Sequence, residues 1–241
     1  MKPISQAQVQ KLKKLHLSKY RYSEKAFLVE GDKIVQEIVS AEYPYLKAIY
    51  VLQSYIPKYT LPDNIPIYTL TELQAKKLTQ LQNFSKIMAL VGMPEPPVFN
   101  PNQNAVFLES IRDPGNLGTI LRICDWYNIP QLLLTPDCTD IYNAKVLQAS
   151  MGSFMRVACI TLNELPSHYG QVYTADLAGL PIETVQFKQP FILHIGNESR
   201  GASRIFSRSL RITIPRIGKA ESLNAAVATA ICLDRIRTQQ Q

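Results

Sequence analysis

The 241-residue chain has no C-x-x-C pair, no apolar run long enough to cross a bilayer, no complete nucleotide-binding glycine motif, and three scattered histidines. Each absence removes a class of protein. The four cysteines, Cys124, Cys138, Cys159 and Cys232, stand singly in apolar segments. That placement fits small buried hydrophobes in a reducing compartment better than disulfides or zinc ligands, so no metal is expected. Long apolar stretches such as Asn224 to Leu233 fall well short of the roughly 18 residues a membrane helix needs. The first residues, MKPISQAQVQKLKKLHLSKYR, interleave lysine and glutamine and lack the continuous apolar core of a signal peptide. A cytoplasmic protein without a membrane span is expected. The stretch DPGNLGTILR, Asp113 to Arg122, looks like a nucleotide loop, but its two glycines have no third and no following lysine. The dinucleotide fingerprint and the phosphate loop are both excluded.

What is present is a globular composition, 46% hydrophobic and 19% charged, long enough for one or two cores. The formal net charge is +7, and a basic surface attracts polyanions whatever their sequence. Residues 1–95 carry 13 Lys+Arg against 8 Asp+Glu, net +5, and residues 96–241 carry 13 against 11, net +2. The first part has twelve lysines and only Arg21; the second has ten arginines and three lysines. Lysine serves diffuse attraction and arginine serves planar, directed contacts, so the split points to docking in front and site chemistry behind.

Punctuation divides the chain. Met93 to Asn104 holds four prolines and three asparagines without apolar periodicity, which reads as a linker. The expected organisation is a small domain over 1–95, a linker over 96–104 and a larger domain over 105–241. In front, Val9, Leu12 and Leu15 recur at helical spacing, residues 26–29 and 48–52 read as strands, and 32–39 reads as a helix. Behind, apolar bursts at 105–108, 131–134, 171–174, 191–195 and 212–214 alternate with turns and mostly helical patterns. The expected fold is α/β, with a parallel sheet covered on both faces.

In such sheets ligands sit beyond the carboxyl ends of the strands, which singles out three loops. One is the DPGN turn after Leu108; the second is Gly196 to Gly201 after Ile195; the third is Pro215 to Asn224, opening the last helix. Each also has a plainer explanation: DPGN as a β-turn with Asn116 as cap, GNESRG as a surface turn, Ser222 as a helix N-cap and Asn224 as an ordinary early-helix residue.

Together they say more. Asn116, Gly118 and Arg122 as N-x-G-x-x-x-R, Ile195 to Gly201 as I-G-N-E-S-R-G, and Ile214 to Ala228 as I-P-x-x-G-x-x-E-S-L-N-x-A-V-A closely resemble, in order and spacing, the three motifs of the SpoU (TrmH-like) RNA ribose methyltransferases of the SPOUT superfamily. Lys145 to Ser153 resembles the stretch between the first two motifs. Phe27 to Lys33 resembles the start of the ribosomal-protein-like RNA-binding module that many members carry.

The resemblance implies a C-terminal parallel-sheet domain with a deep trefoil knot, S-adenosylmethionine held in it, a site completed across a homodimer, and RNA as partner. It implies Asn116, Arg122, Glu198, Ser222 and Asn224 as catalytic residues, with Gly196, Ile214 and Leu223 around the cofactor and Thr174 and Ala175 as further candidates. Methyl transfer to a ribose 2'-hydroxyl requires in-line alignment and the handling of one proton. Asparagine amides both donate and accept, which suits alignment. A guanidinium is effectively always charged, so Arg122 suits stabilising a developing alkoxide rather than removing its proton.

Two departures concern the substrate. Arg216 stands where members usually have methionine, and Arg208 and Arg211 stand where acidic residues are common. Arg200, Arg204, Arg208 and Arg211 would share one face if that segment were helical. Ribosomal RNA is the expected substrate, with transfer RNA next; a non-catalytic RNA-binding scaffold is the reading from a different class.

Overall fold

A computed structural model describes all residues except Asn83, 165–168, 198–200, 204–205, 207–208 and 240–241. The chain forms two compact units, one of residues 1–95 with 142–152 and the other of residues 96–141 with 153–241.

The first unit holds strands β1 (Lys2–Pro3), β2 (Ala26–Glu30), β3 (Leu46–Leu52), β4 (Ile67–Leu70) and β5 (Ile87–Gly92) in the order β1-β4-β3-β5-β2. Pairing is mixed: β5 runs antiparallel to β2 and β3, while β4 is parallel to β3 and β1. Helices α1 (Gln6–Lys14) and α4 (Glu72–Leu78) open with capping boxes, Ser5 with Gln8 and Thr71 with Gln74. Each box satisfies backbone N–H groups that the first turn leaves without partners. Val9 and Leu12 of α1 join Leu28, Tyr50, Leu70 and Met88 in one core cluster. Helix α2 (Ser18–Glu24) presents buried Arg21, whose Nη1 donates to the carbonyls of Leu15 and His16 at 2.9 Å and so serves the carboxyl end of α1. Helix α3 (Asp32–Ser40) buries Ile34, Val35 and Ile38, each contributing roughly 1.5–3 kcal/mol by transfer.

The second unit is a six-stranded sheet in the order β11-β9-β10-β6-β7-β8, with every neighbouring pair parallel. Its strands are β6 (Ala105–Leu108), β7 (Gln131–Leu134), β8 (Ala158–Thr161), β9 (Gln171–Pro181), β10 (Phe191–Ile195) and β11 (Ser209–Thr213). All residues of β6, β7 and β10 are buried, as strands covered on both faces must be. Helices α5 (Pro114–Trp126) and α7 (Ala225–Thr238) lie side by side, tied by Asn224 to Asn116 at 2.8 Å and by Tyr127 to Asp234 at 3.3 Å. The residue offsets of the two ties are nearly equal, so the helices run parallel.

Several features depart from the sequence reading. Helix α6 (Ala144–Ser150), expected within the C-terminal domain, clusters with the first unit, where the Tyr142 ring lies 4.5 Å from that of Phe27. The proline-rich segment is pinned in place, since Asn100 and buried Gln131 exchange two hydrogen bonds, at 2.7 and 2.9 Å. Strand β9 does not stop at Thr174 but continues to Pro181 through an irregularity against β11. Arg211 lies in strand β11 and not in a helix; Arg200, Arg204 and Arg208 lie outside the described residues. Cys124, Cys159 and Cys232 are free thiols pushed up from the ordinary thiol range by desolvation, with Cys124 and Cys232 buried and Cys138 and Cys159 partly covered.

Candidate functional site

The three loops lie beyond the carboxyl ends of β6, β10 and β11. After β6 the chain turns at Ser110, which adopts a left-handed φ of 58°. Ser110 donates to Asp137 at 2.6 Å, its N–H donates to Thr135 Oγ1 at 2.9 Å, and Thr135 in turn donates to Asp137. These hydrogen bonds, with Arg112 at 3.6 Å, hold the Asp137 carboxyl below the usual carboxylate range. Ile111 is buried, its N–H on Cys138 Sγ and its carbonyl accepting from the Thr139 N–H. The entry to α5 is thereby fixed.

Asp113, not Asn116, is the N-cap of α5; it accepts from the Asn116 N–H at 2.8 Å, and Pro114 opens the helix. Proline at the first helical position costs nothing, because its missing N–H would have had no helical partner. The Asn116 side chain reaches across to the third loop instead, where its Oδ1 accepts from Asn224 Nδ2. Asn224, not Ser222, caps α7, its Oδ1 accepting from the N–H groups of Ala226 and Val227. One asparagine therefore starts a helix and, with its remaining amide, joins the first loop to the third. Arg122 is exposed on α5, on the stripe with Thr119 and Trp126. Ser222 and Leu223 are exposed and Ile214 is half-buried. Arg216 donates to the Ala220 carbonyl at 3.2 Å, folding the third loop on itself.

Gly196 is packed against the chain itself. A Cβ there would lie 2.1–2.3 Å from backbone atoms of Gly201 and Ala202, so the lack of a side chain serves the turn of the second loop. Asn197 bridges to Gly201 and donates its amide to the Ser110 carbonyl at 2.9 Å. Glu198 lies outside the described residues.

Thr174 is buried and its hydroxyl faces inward, 3.2 Å from His194 Nδ1 and 2.6 Å from Ser209 Oγ. Its side chain serves the sheet. Ala175 and Asp176 follow in the irregular part of β9, where Asp176 pairs with Arg211 at 3.5 Å and accepts from the Ala178 N–H. Thr174, Asp176, Ser203, Phe206, Ser209 and Arg211 border a cavity of about 140 Å³. Sequence reasoning missed Glu109 and His194, a buried pair 3.0 Å apart beneath the second loop. The signal in the sequence was a charged residue closing the apolar run AVFLE and a histidine inside FILHI.

An open, all-parallel α/β domain whose glycine- and asparagine-bearing loops meet beyond the strand ends defines a ligand-binding domain of the doubly covered sheet class. The SpoU rRNA Methylase family matches residues 103–234, and the MRM3-like substrate binding domain matches residues 6–89. The chain belongs to the SpoU rRNA methylase family. It is 31% identical over 250 residues to the 23S rRNA (guanosine(2553)-2'-O)-methyltransferase RlmP of Bacillus subtilis, covering 98% of this chain and 100% of that protein. It superposes on a putative RNA methyltransferase of the TrmH family from Porphyromonas gingivalis with a TM-score of 0.82 and 30% identity, over 98% of this chain and 99% of that one. The fold is also that of the SpoU methyltransferase AviRb from Streptomyces viridochromogenes, solved in complex with AdoMet: TM-score 0.82, 22% identity, 97% and 98% of the two chains.

Proposed function

We propose that this protein transfers a methyl group from S-adenosylmethionine to a ribose 2'-hydroxyl of ribosomal RNA. The observation that carries this reading is the Asn224–Asn116 hydrogen bond, which brings the first and third loops into one site at the amino ends of two adjacent helices. The full-length likeness to RlmP supports ribosomal RNA over transfer RNA.

The residues fit the cofactor. The second and third loops offer backbone groups around Gly196 and apolar contact from Ile214 and Leu223, and Thr174 and Ala175 in β9 are further candidates beside them. Among the described residues no group of three His, Cys, Asp or Glu could hold a metal. When bound, S-adenosylmethionine supplies an electrophilic methyl on a sulfonium. The chain's own part is alignment and charge. Asn116 and Asn224, each already fixed by the other, orient the acceptor side. Arg122, always cationic, stabilises charge developing on the 2'-oxygen or holds the adjoining phosphate, and the proton leaves to phosphate or water. Glu198 and Ser222 complete the polar set.

Residues 1–95 serve as the RNA-docking domain and 105–241 as the catalytic domain, joined through 96–104. The second and third loops take part in a deep trefoil knot. The protein acts in the cytoplasm, as the bacterial relative's ribosomal substrate implies. It works as a homodimer: Trp126 is 84% exposed and Val227 48% exposed on the adjacent helices α5 and α7, and the same stripe of α5 carries Arg122, so a second copy covering it completes the site.

Calorimetric titration with S-adenosylmethionine, followed by methyl transfer into purified ribosomal and transfer RNA, tests the reading. Binding and 2'-O-methylation of ribosomal RNA are expected. Absence of cofactor binding would leave a non-catalytic RNA-binding protein, and labelling of transfer RNA alone would move the substrate.

A further inference from the structure

Two consecutive residues just after β6 hold the chain on either side of residues 198–202. The Ser110 carbonyl accepts from Asn197 Nδ2 at 2.9 Å, and the Glu109 carboxylate accepts from the Ser203 N–H at 3.1 Å and from the Ser203 hydroxyl. The Glu109 N–H also donates to the Ile195 carbonyl at 3.0 Å, the last residue before the loop. Residues 197 and 203 are therefore fixed to adjoining points of the strand that leads into the first loop.

Glu109 is itself fixed from below. It is 5% exposed, and His194, fully buried, stands with Nε2 3.0 Å from Glu109 Oε2 and Nδ1 3.2 Å from Thr174 Oγ1, which lies 2.6 Å from Ser209 Oγ. A carboxylate only accepts, so the His194 Nε2–H donates to Glu109. His194 Nδ1 shares a hydrogen bond with Thr174 Oγ1, and Thr174 Oγ1 shares the next with Ser209 Oγ. This string crosses β11, β9, β10 and β6. The Phe206 ring, 5.1 Å from the imidazole, and Phe107, 5.2 Å from it, flank the buried His194. A buried, fully hydrogen-bonded carboxylate aimed at an exposed loop serine is more than the sheet needs to stay folded, because an apolar pair would pack as well.

We infer that Glu109, backed by His194, is a positioning residue: through Ser203 it fixes residues 201–203, where the chain leaves the second loop, for the cofactor and couples their place to the first loop, which holds the acceptor. The inference rests on the cofactor reading above. Gly196 shows how narrow the tolerance is, since the backbone of 201–202 lies where its Cβ would stand. The clasp keeps residues 201–203 there, and releasing Ser203 frees them to move off the cofactor's place.

The test uses the full chain. Ser203→Ala removes one exposed hydroxyl, so the fold persists, while Ser203→Thr keeps it. For Ser203→Ala the S-adenosylmethionine Kd and cofactor KM are expected to rise about tenfold, the worth of one hydrogen bond to a charged acceptor. At saturating cofactor, kcat and the RNA KM should stay within about twofold. Ser203→Thr should restore the Kd. Glu109→Gln, which removes the charge and leaves one accepting oxygen where there were two, should also raise the Kd. Wild-type binding with an unchanged Kd in Ser203→Ala would overturn the inference alone. So would equal losses in the alanine and threonine variants, or a lower Tm in Glu109→Gln with an unchanged Kd. If the wild type itself binds no S-adenosylmethionine, both the inference and the cofactor reading fall.

Discussion

The two units use the same elements to different ends. In the lysine-rich first unit the sheet is mixed, its helices start with side-chain capping boxes, and Lys2, Lys14, Lys19 and Lys86 lie over the rings of Tyr68, Tyr20, Tyr20 and Tyr55. In the arginine-bearing second unit the sheet is wholly parallel. There the polar groups gather at one end of the strands, where Asp113 and Asn224 cap helices that open on the site. A mixed sheet spreads its loops over both ends, whereas a parallel sheet sends every strand-to-helix turn to the same end. Broad electrostatic docking suits the first geometry, and a single convergent site suits the second.

The sharpest break of that comparison is Arg122→Ala. If the second unit holds the chemistry, transfer should fall by about 10²–10³-fold, the usual worth of one charge-stabilising group, while calorimetry finds cofactor affinity unchanged. Arg122→Lys should also be poor, since a point charge does not reproduce a planar fork. Turnover near wild type in either variant removes Arg122 from the mechanism.

Gly196→Val should come next. Its Cβ would collide with backbone rather than with a yielding side chain, so the second loop must reshape, and cofactor affinity should drop at least about tenfold, on the order of the 1–3 kcal/mol that overpacking costs. RNA affinity, assigned to the first unit, should hold; a joint loss of both would mean the units do not divide the labour. Trp126→Glu places a charge on the stripe assigned to the second copy. Sedimentation should then report monomers, with cofactor binding retained and transfer lost. A dimer that survives this change uses another surface.

The lysines test the other side. Replacing Lys11, Lys13, Lys14 and Lys19 with alanine in the full chain should make RNA binding less salt-dependent. The log-log slope should become shallower by about 0.9 for each phosphate no longer neutralised on duplex, or about 0.7 on single strands. Lys11 already pairs with Glu24 at 3.2 Å, so it should contribute least. Removing residues 1–95 outright is the poorer experiment, because α6 would lose the unit with which it clusters. An unchanged slope would take phosphate docking away from α1 and α2.

Much of this was legible in the sequence, and the exceptions share a cause. The strands over 105–108, 131–134 and 191–195 are legible to the residue, because burial on both faces makes an unbroken apolar run. Strands β4 and β8 are not: IYTL and ACIT are short and carry hydroxyl-bearing residues, as edge-side strands do. Strand β5, IMALVG, escapes although it is apolar, because nothing local tells a strand from a buried helix turn. In the site, residue types and spacing identify the loops but not the capping. Either Asn116 or Asp113 suits α5, and either Ser222 or Asn224 suits α7, and only the three-dimensional partner of each amide decides. The Glu109–His194 string is invisible because its members lie 85 residues apart in the chain, and a histidine in a strand carries no mark of what it faces.

The smallest expected effect contrasts two carboxylates. In the first unit, burial pushes the Glu30 carboxyl above its ordinary value, outweighing hydrogen bonds from the Gln80 N–H and Thr79. In the second, burial also acts on Asp125, but hydrogen bonds from Arg156 and Ser153, with the Arg156 charge 2.8 Å away, win and hold it below. The signs are opposite. Where Glu30 titrates, above the usual glutamate value, the folded state binds more protons than the unfolded, so its contribution falls as pH rises. Where Asp125 titrates, below the usual aspartate value, the unfolded state binds more protons, so its contribution is present above that value and is lost as pH falls. Acidification through the carboxylate range should therefore favour the first unit relative to the second, with Asp137, also held low, adding to the second unit's loss. Hydrogen exchange resolved by segment, followed as pH drops, should show the helices and strands of 105–134 opening before those of 26–52. Arg156→Ala should remove part of that acid sensitivity, while Glu30→Gln should flatten the first unit's response. Because Arg156 is about half exposed, solvent weakens the pair, and the change should be under about 1 kcal/mol. Equal protection in both segments at every pH would mean that the two units unfold as one, and the contrast between them would end at the level of function.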